Sequence, residues 1–281
     1  MENIESKECE IEMEKYIIKE KSNDNFNIGM CDILKGQVAL ITGGGSGIGF
    51  AIAERFMKAG CKCIIAGRDN DKLIRARSQL SKYGVDRIQR SIIDISKITD
   101  IEQHIRDAAA LFGDNRIDIL VNNASVRMTS HFGGVSEEEY DAVMNTNAKG
   151  TFFMTQAMGN YMIRNQIKGH IVNISSSAAL LPAYTPYRMS KWAVKGFTLG
   201  AARMLLPYGI IVNAIAPGPT MTEMMGKAES DSCYDEKIPS KRYSLPDEIA
   251  ALALYLVSGF ADQIIGETIN INGGEGTLTI H

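Results

Sequence analysis

Groups that could ligate a soft metal are scarce in this chain, with five cysteines and four histidines among 281 residues. The cysteines (Cys9, Cys31, Cys61, Cys63 and Cys233) are odd in number and irregularly spaced, and Cys61-Lys62-Cys63 falls one residue short of C-x-x-C. This pattern supports neither a zinc set nor a disulfide framework, so no metal is expected and the thiols read as free ones in a reducing compartment. No run of about 18 apolar residues occurs, which removes the usual membrane-spanning helix. The start of the sequence lacks a basic-then-apolar leader, and a cytoplasmic location is expected. Lys plus Arg (30) nearly balances Asp plus Glu (33), so the net charge of −3 offers no footprint for a nucleic acid. Seven prolines form no Pro-rich linker, and neither repeats nor low-complexity tracts divide the chain.

What the sequence does contain is ordinary for a globular enzyme, with 45% hydrophobic and 22% charged residues. Charge is unevenly distributed. Residues 1–31 hold seven Glu and one Asp against four Lys, a net −4, which leaves about +1 for the other 250 residues. The apolar positions of ECEIEMEKYIIKEK fit no clean helical face, so residues 1–31 are expected to be an acidic extension, partly disordered. Residues 32–281 are expected to form one domain.

Within that domain, short apolar runs (QVALITG, CKCIIAG, IDILVNN, GHIVNIS and GIIVNAI) read as fully buried strands. Between them lie stretches of helical period, such as IGFAIAERFMKAG, with Ile48, Ile52, Ala53 and Phe56 on one face and a stop at Gly60. Strands and helices alternating in this way predict an α/β, doubly wound parallel sheet of Rossmann type with helices on both faces. The first strand runs into TGGGSGIG, Thr42–Gly49, and then into a helix. Glycines there let the backbone approach a phosphate, and the helix N-terminus supplies N–H donors and a positive dipole end. The spacing is G-x-x-x-G-x-G, not G-x-G-x-x-G, so position at the first strand–helix turn carries the dinucleotide reading. The second strand ends IIAGRD. Gly67 stands where an acid commonly holds the NAD ribose, and Arg68 follows it. A cation there favours NADP(H) over NAD(H), while Asp69 keeps NAD(H) open. Further on, Tyr187 and Lys191 lie four residues apart, one helical turn, on a common face.

From Asp32 to Gly274 the chain resembles the short-chain dehydrogenase/reductase family in its single-domain form of about 250 residues. The resemblance rests on TGGGSGIG, the pair Asp94-Ile95, NNAS at 122–125, the Asn of NTNAKG, the serines after HIVNIS, Y-x-x-x-K at 187–191, and PG at 217–218, all in the family's order. It implies a catalytic set of Asn147, Ser176, Tyr187 and Lys191, with Ser175 as the alternative serine. It implies cofactor contacts at Gly43, Gly45, Ser46, Gly47, Ile48, Gly49, Arg68, Asp94, Ile95, Asn123, Ala124, Tyr187, Lys191, Pro217, Gly218, Thr220 and Thr222. Asn122 and Asn123 would brace the fourth strand and the glycine loop. Asn147 would hold a relay water, and Thr222, with Thr220 as competitor, would bond the nicotinamide carboxamide. Two departures stand out: Ser125 replaces the family's usual Gly, and the loop ALLPAYTP is short, so that Tyr187 comes only 11 positions after Ser176.

The chemistry agrees. Hydride reduction of a carbonyl leaves an alkoxide that needs a proton, and the reverse oxidation needs a base. A tyrosine beside a lysine ammonium, with the positive nicotinamide ring of the oxidised cofactor nearby, is expected to have its pKa brought down towards the working range. Tyr184 is the rival tyrosine, but its partner four residues on is Arg188, a guanidinium that cannot be tuned. The methionines Met221, Met224 and Met225 could line an apolar substrate pocket or fill the core. The expected function is NAD(P)(H)-dependent interconversion of a carbonyl and a secondary alcohol in a small-molecule substrate, by a homotetramer or homodimer without membrane or nucleic-acid partners. The alternative is a non-catalytic dinucleotide-sensing or scaffolding protein on the same fold.

Overall fold

Residues 32–278, except 129 and 229, are described by the computed structural model. The acidic N-terminal extension lies outside the described residues. The strands are β1 (Val38–Thr42), β2 (Lys62–Gly67), β3 (Ile88–Ile92), β4 (Ile119–Asn122), β5 (His170–Ile174), β6 (Ile211–Pro217) and β7 (Thr268–Ile271). The helices are α1 (Gly47–Lys58), α2 (Asn70–Leu80), α3 (Ile101–Ala110), α4 (Glu137–Val143), α5 (Thr151–Arg164), α6 (Pro186–Leu205) and α7 (Pro246–Val257). The sheet order is β3-β2-β1-β4-β5-β6-β7, and every neighbouring pair is parallel. The doubly wound architecture expected from the sequence is therefore present, with its topological switch between β1 and β4.

Side-chain alternation explains why the strands are apolar throughout. Ala39 and Ile41 of β1 pack with α1, α2 and α7 on one face, while Val38 and Leu40 pack with α3, α5 and α6 on the other. A strand covered on both sides has no solvent face on which to place polar residues.

Polar contacts concentrate at the carboxyl ends of the central strands. Thr42 Oγ1, at the end of β1, donates to Val121 O (3.2 Å) and accepts from Asn123 N (3.0 Å) and Ala124 N (3.1 Å). One hydroxyl thus ties the chain leaving β4 to the chain leaving β1, at the switch where a cleft opens. Thr42→Val keeps the shape but leaves the part-buried Ala124 N without its acceptor and Asn123 N with only Val121 O (3.1 Å). We expect it to lower stability by about 1–3 kcal/mol in urea denaturation, and to weaken cofactor binding. An unchanged midpoint would show that this hydroxyl does not hold the two loops together.

Candidate active site

The cleft at the carboxyl edge of the sheet has a volume of about 450 Å³ and is lined from one end to the other by residues singled out in the sequence. Gly43, Gly45, Ser46, Gly47 and Ile48 form one wall, with Arg68, Asp94 and Ile95 at one end. Asn123, Ala124, Ser175, Ser176, Tyr187 and Lys191 also line it, as do Pro217, Gly218, Thr220 and Thr222. Gly49 and Asn147 stand behind the lining.

Each part is placed by local chemistry. Gly47 enters α1 at φ +55°, a conformation that costs glycine little. A Cβ on Gly49 would meet Gly43 O at 2.4 Å and Asn123 Nδ2 at 2.5 Å, so only glycine lets the loop fold back on itself there. Asn123 Nδ2 donates to Thr42 O (3.0 Å) and Gly43 O (3.2 Å), which is the bracing role expected of it. Asn122 Nδ2 donates to Thr155 Oγ1 and Asn173 Oδ1, each at 2.9 Å, and braces β4 against β5 and α5. At the tip of β2, Asp69 does not face a ribose as a free acid: it caps α2, accepting from Lys72 N at 3.0 Å. Asp94 is held below the ordinary carboxylate value. Burial pushes it up, but bonds from Ser96 and the charges of Arg68 and Lys97 outweigh that.

The catalytic helix α6 starts where it does because Thr185 Oγ1 caps Arg188 N (3.3 Å) and Pro186 occupies its first position. Tyr187 thereby falls in the first turn and Lys191 in the next, on the cleft side. Lys191 is only 3% exposed, and its Nζ donates to Ile174 O at 3.0 Å. Burial lowers its pKa to about 8. Tyr187 departs from the sequence expectation. Burial pushes its phenol above the ordinary tyrosine value, partly offset by the hydrogen bond with Ser176 and the charge of Arg127, while Glu275 adds to the rise. The lysine does not supply the expected pull. Its Nζ lies 5.6 Å from the Tyr187 ring centroid and is directed at a backbone carbonyl, and burial weakens its hold on the proton.

The two candidate serines separate on geometry. Ser175 Oγ donates to Lys191 O (3.0 Å) and is spent on packing α6 against β5. Ser176 Oγ accepts from Ala178 N (3.1 Å), and Ser176 lines the cleft with Tyr187, whose phenol pKa it lowers. The short loop is taken up by a 3₁₀ turn, Ser177–Leu180, which begins at that cap. Tyr184 is 54% exposed and stacks with Arg188, a surface pair. Asn147 sits in a π-helical segment, Met144–Gly150, between α4 and α5. Its amide accepts from Val126 N (2.8 Å) and donates to Val126 O (2.9 Å) and Ser190 Oγ (3.2 Å), so its side chain braces a loop and a helix. Thr222 touches the glycine loop, its Cγ2 lying 3.2 Å from where a Gly47 Cβ would be, whereas Thr220 Oγ1 is tied to Gly218 O at 2.9 Å. Met224 and Met225 line the cleft.

Three residues, Lys72, Arg127 and Glu275, escaped sequence reasoning, and Ser125 was noted there only as a departure from the family's glycine. Lys72 lines the Arg68 end and pairs with Glu223 at 2.9 Å. Ser125 lines the cleft with a buried Oγ that has no partner among the described residues. Arg127 and Glu275 act electrostatically on Tyr187 from segments distant in sequence. A conserved-looking spacing marks none of them; only the basic character beside Arg68 hinted at Lys72.

These features fit a dinucleotide. The glycine loop leaves room only for backbone, and α1 begins without a side-chain cap or an acid in its first turn. The orphan Ser125 hydroxyl and the buried Lys191 ammonium both call for polar partners. A doubly wound sheet whose switch-point cleft also holds a Ser–Tyr–Lys set defines a dinucleotide-dependent hydride-transfer enzyme.

Comparison with known proteins agrees. The family model described as short chain dehydrogenase matches residues 37–232. The chain is 34% identical over 257 residues to galactitol 2-dehydrogenase of Agrobacterium fabrum, covering 86% of this chain and 98% of the other. It is 35% identical over 248 residues to the 3-oxoacyl-[acyl-carrier-protein] reductase of Aquifex aeolicus, with coverage of 86% and 98%. Among solved structures, gluconate 5-dehydrogenase from Burkholderia cenocepacia, in complex with NADP and tartrate, superposes with a TM-score of 0.80 at 29% identity, covering 89% of this chain and 99% of that one. This chain belongs to the short-chain dehydrogenase family. It is an NAD(P)-dependent oxidoreductase acting on a carbonyl/alcohol pair.

The burial of Lys191 has a consequence for stability. Its proton is held to about pH 10.5 in an unfolded chain and to about pH 8 in the fold, so between those values the unfolded state binds more protons. Stability from this group therefore rises with pH across that window, and below it the whole cost of burying the ammonium is present. Lys191→Met should be more stable than the parent at pH 7, by up to about 3 kcal/mol. The gap should shrink as pH approaches 10.5 in urea denaturation. A gap independent of pH would exclude Lys191 as the titrating group.

Proposed function

We propose that the chain interconverts a small carbonyl compound and its secondary alcohol with NADP(H) in preference to NAD(H). The observation that carries this reading is the convergence of Ser176, Tyr187 and buried Lys191 in one cleft with the glycine loop. The loop Gly43–Gly49 would hold the pyrophosphate on the N-terminus of α1. Arg68, joined by Lys72, would take a 2′-phosphate, and Asp94 and Ile95 would flank the adenine end. Asn123, Ala124, Tyr187 and Lys191 would contact the nicotinamide ribose, with Pro217, Gly218, Thr220 and Thr222 around the carboxamide. When bound, the cofactor supplies or accepts the hydride.

The protein's own part is to hold the oxygen and move its proton. Ser176 Oγ would donate to the carbonyl oxygen as charge develops there. Tyr187 Oη would give that oxygen a proton in reduction and take one in oxidation. Its raised pKa keeps it protonated, which suits the acid role in reduction. Lys191, poised near neutrality, would pass protons towards Tyr187. Asn147 would serve the relay through the chain it positions, since its amide is committed to Val126 and Ser190. Exposed apolar side chains on α5 and α6, among them Phe152, Leu199 and Met204, support self-association as a homotetramer or homodimer. No helix among the described residues is long and apolar enough to cross a membrane, and we propose a cytoplasmic location.

Two measurements test this. Tyr187→Phe should abolish turnover while leaving NADPH affinity nearly unchanged; retained turnover would overturn the proton-transfer role. Titration by nicotinamide fluorescence should show NADPH binding at least about tenfold tighter than NADH, a difference near 1.4 kcal/mol. Arg68→Ala should erase that preference. Equal or tighter NADH binding in the parent would sink the NADP(H) assignment.

A further inference from the structure

Arg127 lies in the loop that follows β4, next to Val126 of the cleft lining, and is itself exposed. Its position is fixed from behind, because the buried amide of Asn147 holds both the N–H (2.8 Å) and the C=O (2.9 Å) of Val126, the preceding residue. In front, its Nη1 donates to Met225 Sδ at 3.0 Å. Val126 and Met225 both line the cleft, so the guanidinium bridges two of its walls. A thioether is a weak acceptor, and a guanidinium has five N–H donors. Among the described residues Arg127 pairs with no carboxylate. An exposed guanidinium is thus tethered beside the cleft by one weak acceptor.

Two acids face the same region. Glu275 accepts from Ser177 Oγ, and Asp235 bonds the Tyr243 hydroxyl. Neither neutralises Arg127. Together they disfavour a ligand of high negative charge and leave room for one anionic group opposite the arginine.

We propose that Arg127 is a substrate-binding residue and that the substrate is a short hydroxy or oxo acid, whose carboxylate pairs with the guanidinium while its carbinol or carbonyl carbon faces Tyr187. The inference deepens the oxidoreductase reading above and rests on it. A planar guanidinium matches a carboxylate bidentately, which fixes orientation as well as affinity. Arg127 adjoins Val126 and contacts Met225, both of which line the cleft that holds Tyr187, so an anion bound there would sit beside that cleft, and its charge favours the ionised forms of Tyr187 and Tyr243. That suits a carboxylate carried on the reacting skeleton. It does not suit the phosphate of a pantetheine thioester, which is separated from the carbonyl by the whole pantetheine arm.

The test uses matched acids and alcohols on the full-length protein. NADPH binding is measured first by nicotinamide fluorescence; failure there would sink the oxidoreductase reading and not this one. Calorimetry on the cofactor-loaded protein then compares D-gluconate with D-glucitol and D-glycerate with glycerol, pairs that differ in a terminal carboxylate. At least one acid should bind roughly tenfold or more tightly than its neutral partner. Arg127→Gln should remove that preference without altering NADPH affinity, and Arg127→Lys should restore part of it. For a turned-over acid, Arg127→Gln should raise KM far more than it lowers kcat. The proposal is overturned if neither acid binds better than its alcohol, or if the preference survives in Arg127→Gln. It is also overturned if acetoacetyl-CoA binds and Arg127→Gln weakens it as much as the acids.

Discussion

A buried ammonium is the constraint around which this site is built. An uncompensated charge removed from water is among the most expensive groups a fold can contain. Lys191 is held by one backbone carbonyl at the end of β5 and by no carboxylate among the described residues. Its position persists because the surroundings over-determine it. Pro186 and the Thr185 cap set where α6 begins, Ser175 Oγ ties the Lys191 carbonyl to β5, and parallel strands on either side fix where β5 ends. The same arrangement sets Tyr187 one turn earlier, where burial raises its pKa while it lowers that of the lysine. One physical cause thus moves the two groups in opposite directions, leaving the phenol a better holder of its proton and the amine a better donor.

Charge along the cleft follows a related logic. The protein is net negative, yet Arg68, Lys72 and Lys191 line the cleft and Arg127 lies beside it. The nearby acids are occupied by the protein itself: Asp69 caps α2, Asp94 accepts from Ser96, Glu223 pairs with Lys72, and Glu275 accepts from Ser177. Bulk charge therefore says little about which ligand is favoured. Local pairing decides it, because acids tied up in caps and hydrogen bonds leave the cations to face the cleft.

Much of this was legible in the sequence where a physical rule acts locally. The central strands are readable because burial on both faces demands continuous apolar runs, and the glycine loop because close backbone approach excludes a Cβ. β3 is different. Its sequence, IQRSI, carries polar residues because it pairs only with β2 at the sheet edge, so no apolar run announces it. That Ser176, Tyr187 and Lys191 would meet in one cleft was legible through the family's motif order, but the electrostatics there were not. The sequence shows that Lys191 follows Tyr187 by one turn; it does not show that the ammonium points at Ile174 O, and the expected lowering of the tyrosine pKa rested on that missing geometry. Arg127 and Glu275 were invisible for a similar reason, since they reach the site from the loop after β4 and the segment after β7.

The π-helical segment joins these observations. Seven residues, MNTNAKG, carry no breaker that would distinguish them from the helices on either side, yet the wider turn occurs where Asn147 faces inward. From there its single amide reaches Val126, which sets the direction of Arg127, and Ser190, which lies between Tyr187 and Lys191 on α6. Ser190 Oγ in turn donates to Tyr187 O at 2.7 Å. The loop that would meet the substrate and the helix that carries the acid are therefore referenced to one buried side chain, not separately to the sheet. In this arrangement the loop that carries Arg127 and the helix that carries Tyr187 share one buried reference, placed by a π turn of the kind that recurs at functional sites.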